Sequence, residues 1–69
     1  MIEVRYYRKE RRIEVIEITS YQNTMNFTEV ADIECDNDLH ISFNGYNWQK
    51  KLVCVYMKAD ILIKMDGFE

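Results

Sequence analysis

The chain has 69 residues, a net charge of −3 and a pI near 5.1; that length accommodates one domain, burying only roughly 60% of the surface the unfolded chain exposes, and it leaves little room for a deep catalytic cleft. The acidic balance disfavours non-specific attachment to nucleic acid or anionic membranes, which requires a surplus of Lys and Arg. Five Tyr, three Phe and one Trp within a 48% hydrophobic composition exclude a disordered, charge-dominated chain.

From the N-terminus, Ile2, Val4 and Tyr6 alternate with Glu3, Arg5 and Tyr7, the period of a half-buried strand. Arg8 to Arg12 form a charged turn, and Ile13 to Ile18 a second strand whose apolar set changes face between Val15 and Ile16, as a bulge or strong coiling would produce. A short helix over residues 13–25 competes with that strand. Residues 20–26 read as a polar loop, and one short helical turn fits near residues 19–26. From Phe27 the odd positions Phe27, Ala31, Ile33 and Cys35 are apolar while Thr28, Asp32, Glu34 and Asp36 are polar; Leu39, Ile41 and Phe43 then alternate with His40, Ser42 and Asn44.

Asn44-Gly45 between two alternating segments is the strongest short-range hairpin signal, since a type I′ turn needs positive φ at both central residues. That turn would set Phe43 against Tyr46 and Ile41 against Trp48. The following strand runs to Met57, with Tyr46, Trp48, Leu52, Cys54 and Tyr56 on one side and Val53, Val55 and Met57 on the other, long enough to bend between two packed layers. Lys58-Ala59-Asp60 turns the chain into a last strand carrying Ile61, Ile63 and Met65. The expected fold is therefore mostly β, an antiparallel five- or six-stranded barrel or sandwich spanning residues 1–69. Its core should contain Val4, Ile13, Ile33, Ile41, Phe43, Leu52, Val53, Val55, Ile61 and Ile63.

Two cysteines, Cys35 and Cys54, are too few for a disulfide framework and lack Cys or His neighbours at zinc spacing, so both are expected reduced and buried in a cytoplasmic protein. The start Met1-Ile2-Glu3-Val4-Arg5 shows no apolar signal segment, and no run approaches the roughly 20 apolar residues that span a bilayer. Ile, Asn, Lys, Tyr and Phe total 26 residues against 8 of Gly, Ala, Arg and Pro, a skew that fits an AT-rich gene of a low-GC bacterium or its phages.

The most concentrated chemical feature is acidic: Asp32, Glu34, Asp36 and Asp38, with Glu29 nearby and no Lys or Arg from residue 13 to 49. Strand alternation would put Asp32, Glu34 and Asp36 on one face at roughly 6.5–7 Å spacing, comparable with successive phosphates along a nucleic acid strand. Such a ridge, with Tyr46 and Trp48 beside it, suits a basic protein partner; a solvent-facing strand also simply needs polar residues. The series Asp32-x-Glu34-x-Asp36 fails as a calcium loop, because Asn37 stands where Gly and Phe43 where Glu is needed. Asp36, Asp38 and His40 are a weaker alternative for a divalent ion, and no metal or cofactor is expected. The second feature is basic: Arg5, Arg8, Arg11 and Arg12, with Lys50 beside Trp48, the cation-and-aromatic combination that binds single strands.

Catalysis has no visible signature. A Cys-His nucleophile would need Cys35 or Cys54 near His40, yet Cys35 is expected inward and His40 outward. Paired-carboxylate chemistry needs a pocket these exposed acids lack, and no Gly-rich phosphate loop exists. The expectation is thus a non-enzymatic, cytoplasmic protein-binding module, an inhibitor of a host nucleic-acid-handling protein of the kind phages carry, such as an anti-CRISPR. A small nucleic-acid-binding barrel using the basic set is the alternative, and open sheet edges with surplus aromatics allow a homodimer.

Overall fold

Residues 1–65 are described by the computed structural model. The alternating N-terminal segments form β1 (Ile2–Tyr7) and β2 (Arg12–Ile18), an antiparallel hairpin in unbroken register from Ile2 opposite Glu17 to Tyr7 opposite Arg12. Val4, Ile13 and Val15 point inward and are almost fully buried. No bulge interrupts β2; instead Ile16 is buried on the opposite face, between its cross-strand neighbours Glu3 and Thr24.

The next element departs most from expectation. β3 is a single 14-residue strand, Gln22–Cys35, so neither a helix over 13–25 nor a helical turn near 19–26 is present. Its polar first half lacks apolar alternation, but pairing with β2 from Ile18 opposite Gln22 to Ile13 opposite Phe27 supplies the backbone hydrogen bonds that hold it extended. Its second half pairs with β4 (His40–Tyr46) instead, and there the register slips twice. Glu29-Val30 together oppose Gly45, and Asp32-Ile33 oppose Phe43; Glu29 and Asp32 take left-handed φ of 50° and 57°. Each bulge adds one residue and reverses the alternation. The inward residues are consequently Phe27, Val30 and Ile33, three apart, while Ala31 pairs outward with Asn44.

Asn44-Gly45 is not a turn. Both residues lie inside β4, and Gly45 does not have positive φ. A Cβ on Gly45 would stand 3.3 Å from the Thr28 carbonyl oxygen, 3.3 Å from Val30 Cγ2 and 3.4 Å from Phe27 Cβ, so the residue serves a close approach of backbones. The hairpin turns three residues later, where Asn47 N–H donates to the Lys51 carbonyl and Lys50 N–H to the Asn47 carbonyl. β5 (Leu52–Lys58) then runs back with Phe43 opposite Val55 and Ile41 opposite Met57. Phe43 and Tyr46 therefore lie on opposite faces, and Trp48 sits on the exposed tip. The long strand shared between two halves of the sheet is β3, not the segment from Tyr46 to Met57.

β6 (Ile61–Lys64) pairs parallel to β1, giving one six-stranded mixed sheet in the order β5-β4-β3-β2-β1-β6. The sheet is not purely antiparallel and is not closed. Its two outer strands are nevertheless consecutive, joined by Ala59-Asp60 alone, so the sheet must curl until its edges meet at that end. Ala59 N–H donates to the Leu39 carbonyl on one side of the seam, and Asp60 N–H to the Ile2 carbonyl on the other. Inside the curl, Val4, Ile13, Val15, Phe27, Val30, Ile41, Phe43 and Ala59 form the core, with Phe27 and Phe43 packed edge-on at 5.3 Å.

Several expected core residues are displaced. Leu52 is on the outer face of β5 and 65% exposed. In β6, Leu62 opposite Val4 turns inward, leaving Ile61 and Ile63 exposed opposite Glu3 and Arg5. Ile33, Val53 and Val55 pack against the core but are only half-buried.

Candidate interaction surface

The turn before β4 organises the acidic end of the molecule. Asp36 Oδ1 accepts hydrogen bonds from the backbone N–H of Asp38 (2.8 Å) and His40 (2.9 Å), and Oδ2 meets His40 Nδ1 at 2.9 Å. The backbone N–H of His40, then its ring and the Asp38 N–H, hold the Asp36 carboxyl below its ordinary value. The His40 ring stacks parallel to Tyr56 at 6.2 Å. Among the described residues, no three His, Cys, Asp or Glu side chains stand where they could jointly hold a metal ion.

The acidic residues Glu29, Asp32, Glu34, Asp36 and Asp38 are all exposed along β3 and its turn. Their row differs from simple alternation. Glu29 and Asp32 are thrust out by the bulges, Glu34 faces outward opposite Ser42, and Asp36 is held in the turn. Asp32 Oδ2 accepts from Asn44 Nδ2 at 3.0 Å, which fastens one carboxylate to the outer face of β4. Next to this row stand Tyr46, opposite Thr28, and then the outer residues of β5, Leu52, Cys54 and Tyr56. One surface thus passes from acidic to polar to apolar across three strands, and Trp48 projects from its tip, 81% exposed.

The cysteines are corrected in burial: each is a free, exposed thiol. Cys54 lies on the outer face opposite Asn44, whereas Cys35 is the last paired residue of β3, opposite the buried Ile41, and lines an inner cavity of about 330 Å³ with Val4, Ile13, Ile33 and Leu62. Cys35 faces inward with Ile41 and His40 outward, as the alternation implies, although both border one shallow groove of about 250 Å³ with Glu34, Asp36, Ser42 and Tyr56. The Cys35 thiol donates to the Asp36 carbonyl at 3.4 Å, so it is not poised against the imidazole.

The basic set is brought together less than the sequence implies. Arg5 Nε meets Glu3 at 2.6 Å and its Nη1 lies 3.8 Å from Glu14; Arg12 Nε meets Glu10 at 3.1 Å, its Nη1 donates to Asn26 Oδ1 at 3.0 Å, and its guanidinium covers the Tyr7 ring at 3.8 Å. Hydrogen bonds to Glu3 and Glu10 raise the two guanidinium pKa values. Arg11 Nε reaches the Val30 carbonyl. Lys50 stands on the other hairpin, though Trp48 lines a 260 Å³ hollow with Asn26, the residue Arg12 holds. The pairs His40–Tyr56, Asn44–Asp32 and Arg12–Tyr7 were not foreseen; the first two follow once the second hairpin is turned at Asn47–Lys51 instead of Asn44-Gly45.

No family model matches this chain, and comparisons with curated proteins and with solved structures found no match. Among the described residues no helix is long and apolar enough to cross a membrane.

Proposed function

We propose that the chain is a protein-binding module that acts without catalysis, setting the acidic outer side of β3 (Glu29, Asp32, Glu34, with Asp36 and Asp38) and the aromatic pair Tyr46 and Trp48 against a basic surface of a nucleic-acid-handling protein. In its concrete form this is a phage or mobile-element inhibitor, anti-CRISPR-like, that occupies the partner's phosphate-binding groove. The observation that carries the reading is a row of exposed carboxylates beside the exposed Trp48 and the half-buried Tyr46, on a stretch from residue 13 to 49 that contains no Lys or Arg. A desolvated aromatic with a charged rim is the usual composition of a binding hot spot. The engagement of Arg5 and Arg12 by Glu3, Glu14 and Glu10 works against the nucleic-acid reading, because a phosphate would have to displace a carboxylate.

The test is capture of basic nucleic-acid-binding proteins by the wild type and by a Glu29→Gln, Asp32→Asn, Glu34→Gln variant. Asp36 is left intact because it holds its turn. Loss of a captured partner with the neutralised variant supports the reading; undiminished capture removes it. Micromolar oligonucleotide binding that falls steeply with salt and disappears on changing Arg8 and Arg11 transfers the case to the nucleic-acid alternative.

A further inference from the structure

We propose that the free edge of β5 receives a second copy of this chain, strand against strand, in one defined antiparallel register. The argument begins with where the β5 backbone points. Asn47 N–H donates to the Lys51 carbonyl at 3.0 Å and Ala59 N–H to the Leu39 carbonyl at 2.9 Å, which sets the phase of the whole ladder. Bonded pairs alternate with unbonded ones, so Val53, Val55 and Met57 direct their amides and carbonyls at β4. Leu52, Cys54, Tyr56 and Lys58 direct theirs away, toward the edge. β5 is the terminal strand of the sheet, so among the described residues no other strand is paired along that side.

Edge strands are normally blunted by shortness, proline, a bulge or an inward charge. β6, at the opposite edge, is four residues long and ends in Lys64. β5 is seven residues, Leu-Val-Cys-Val-Tyr-Met-Lys, with no proline, no positive φ and a charge only at its end. Its outer face is also apolar, with Leu52 65% and Tyr56 72% exposed.

A two-fold axis requires that residues facing each other lie on the same face, which allows only a few registers. With the axis at Val55, Leu52 meets Lys58 and Cys54 meets Tyr56 of the second copy, and the reverse. This register pairs all four outward-directed residues of each strand, forming about eight hydrogen bonds. Moving the axis to Cys54 leaves Lys58 beyond the partner's strand, opposite its Lys50. The Val55 register instead brings Lys50 toward Asp60 of the second copy, two opposite charges repeated by symmetry. The occupant is thus a second copy because the edge is complementary to itself in both hydrogen bonding and charge. This interface is separate from the acidic side of β3.

The experiment measures mass by light scattering and locates the register by cross-linking. Wild-type chain at about 100 μM should weigh twice the 8.4 kDa monomer, and Lys50→Glu should raise the dimer dissociation constant between about two- and tenfold. In a Cys35→Ser background, Tyr56→Cys places a thiol opposite Cys54 of the second copy at a bonded pair, where Cα separations near 5.5 Å suit a disulfide. Mild oxidation should link that variant into dimers, and adding Cys54→Ser should abolish the link. A monomeric mass up to millimolar concentration overturns the proposal. So does efficient cross-linking of Cys35→Ser alone through Cys54, which would place the axis elsewhere.

Discussion

At Gly45 a missing methyl group decides how closely two strands approach. Its opposite number is the Glu29-Val30 bulge, and a Cβ there would press on a backbone oxygen and a core methyl at 3.3 Å. Gly45→Ala should therefore cost about 1–3 kcal/mol in urea denaturation, the range for overpacking, although alanine is ordinarily tolerated in a strand. An unchanged midpoint would mean the bulge relaxes freely. The thiols give a second residue-scale prediction. Cys35 and Cys54 are exposed, so both should react with a maleimide or disulfide reagent in the native protein in dilute solution about as fast as in denaturant. Slow labelling relieved by denaturant would contradict their placement.

Among the elements, the two turns flanking β4 repeat one device. Asp36 and Asn47 each use a side-chain oxygen to accept the N–H groups two and four residues ahead, and each loop closes through a left-handed residue, Leu39 at φ 64° and Lys50 at φ 62°. Neither left-handed residue is glycine, so each carries strain. Lys50→Gly should raise stability by about 0.5–1 kcal/mol when measured on dilute protein, where edge pairing plays no part. Asp36 differs from Asn47 in carrying charge. Its carboxyl titrates below its ordinary value, so its extra stabilisation is present above the unfolded-state pKa and is lost as pH falls through the lower folded-state value. The wild type should exceed Asp36→Asn in stability near neutrality, and the difference should narrow in acid and close once the folded-state carboxyl is protonated. A gap that persists there would assign the effect to shape instead of charge.

These turns also explain what was readable beforehand. Where apolar and polar residues alternate without a break, at Val4, at Ile13 and at Ile41 and Phe43, the inward residues were legible from the pattern; in β5 both faces are apolar, so Leu52 could not be told from Val53 and Val55. β3 was not legible either, because two bulges convert an interval of two into three and make Ala31 look inward in place of Val30. The hairpin was misplaced for a related reason. Asn-Gly is a strong local signal, yet glycine can be required by the opposing strand, and that demand is invisible until the bulge is known. The acidic residues were identifiable as exposed, but their fastening to Asn44 and His40 depends on register.

On the scale of the whole molecule, one small core holds two halves of a sheet together through β3. Such a fold has only a few kcal/mol to lose. Ile41, 2% exposed where β4 meets the core, should cost about 2–5 kcal/mol on truncation to Ala, leaving much of the chain unfolded at 37 °C. Leu52→Ala, equally apolar and in the partner strand, should stay within about 0.5 kcal/mol in dilute solution. Thermal unfolding followed by circular dichroism and by tryptophan fluorescence checks both. Comparable losses at the two positions would mean the inside and outside of the hairpin have been exchanged.

The pairing of β6 with β1 has a further consequence for how the chain folds. Asp60 joins Ile2 by two hydrogen bonds, its carboxylate accepting from the Ile2 N–H at 2.7 Å and its own N–H donating to the Ile2 carbonyl at 2.8 Å. Ile61 then lies opposite Glu3. The β1–β2 and β4–β5 hairpins join strands adjacent in sequence and can close early, but β1 keeps one side unpaired until residues 61–64 are available. Folding is therefore completed only when those residues have paired, and this late, long-range contact sets a slower pace than hairpin closure alone.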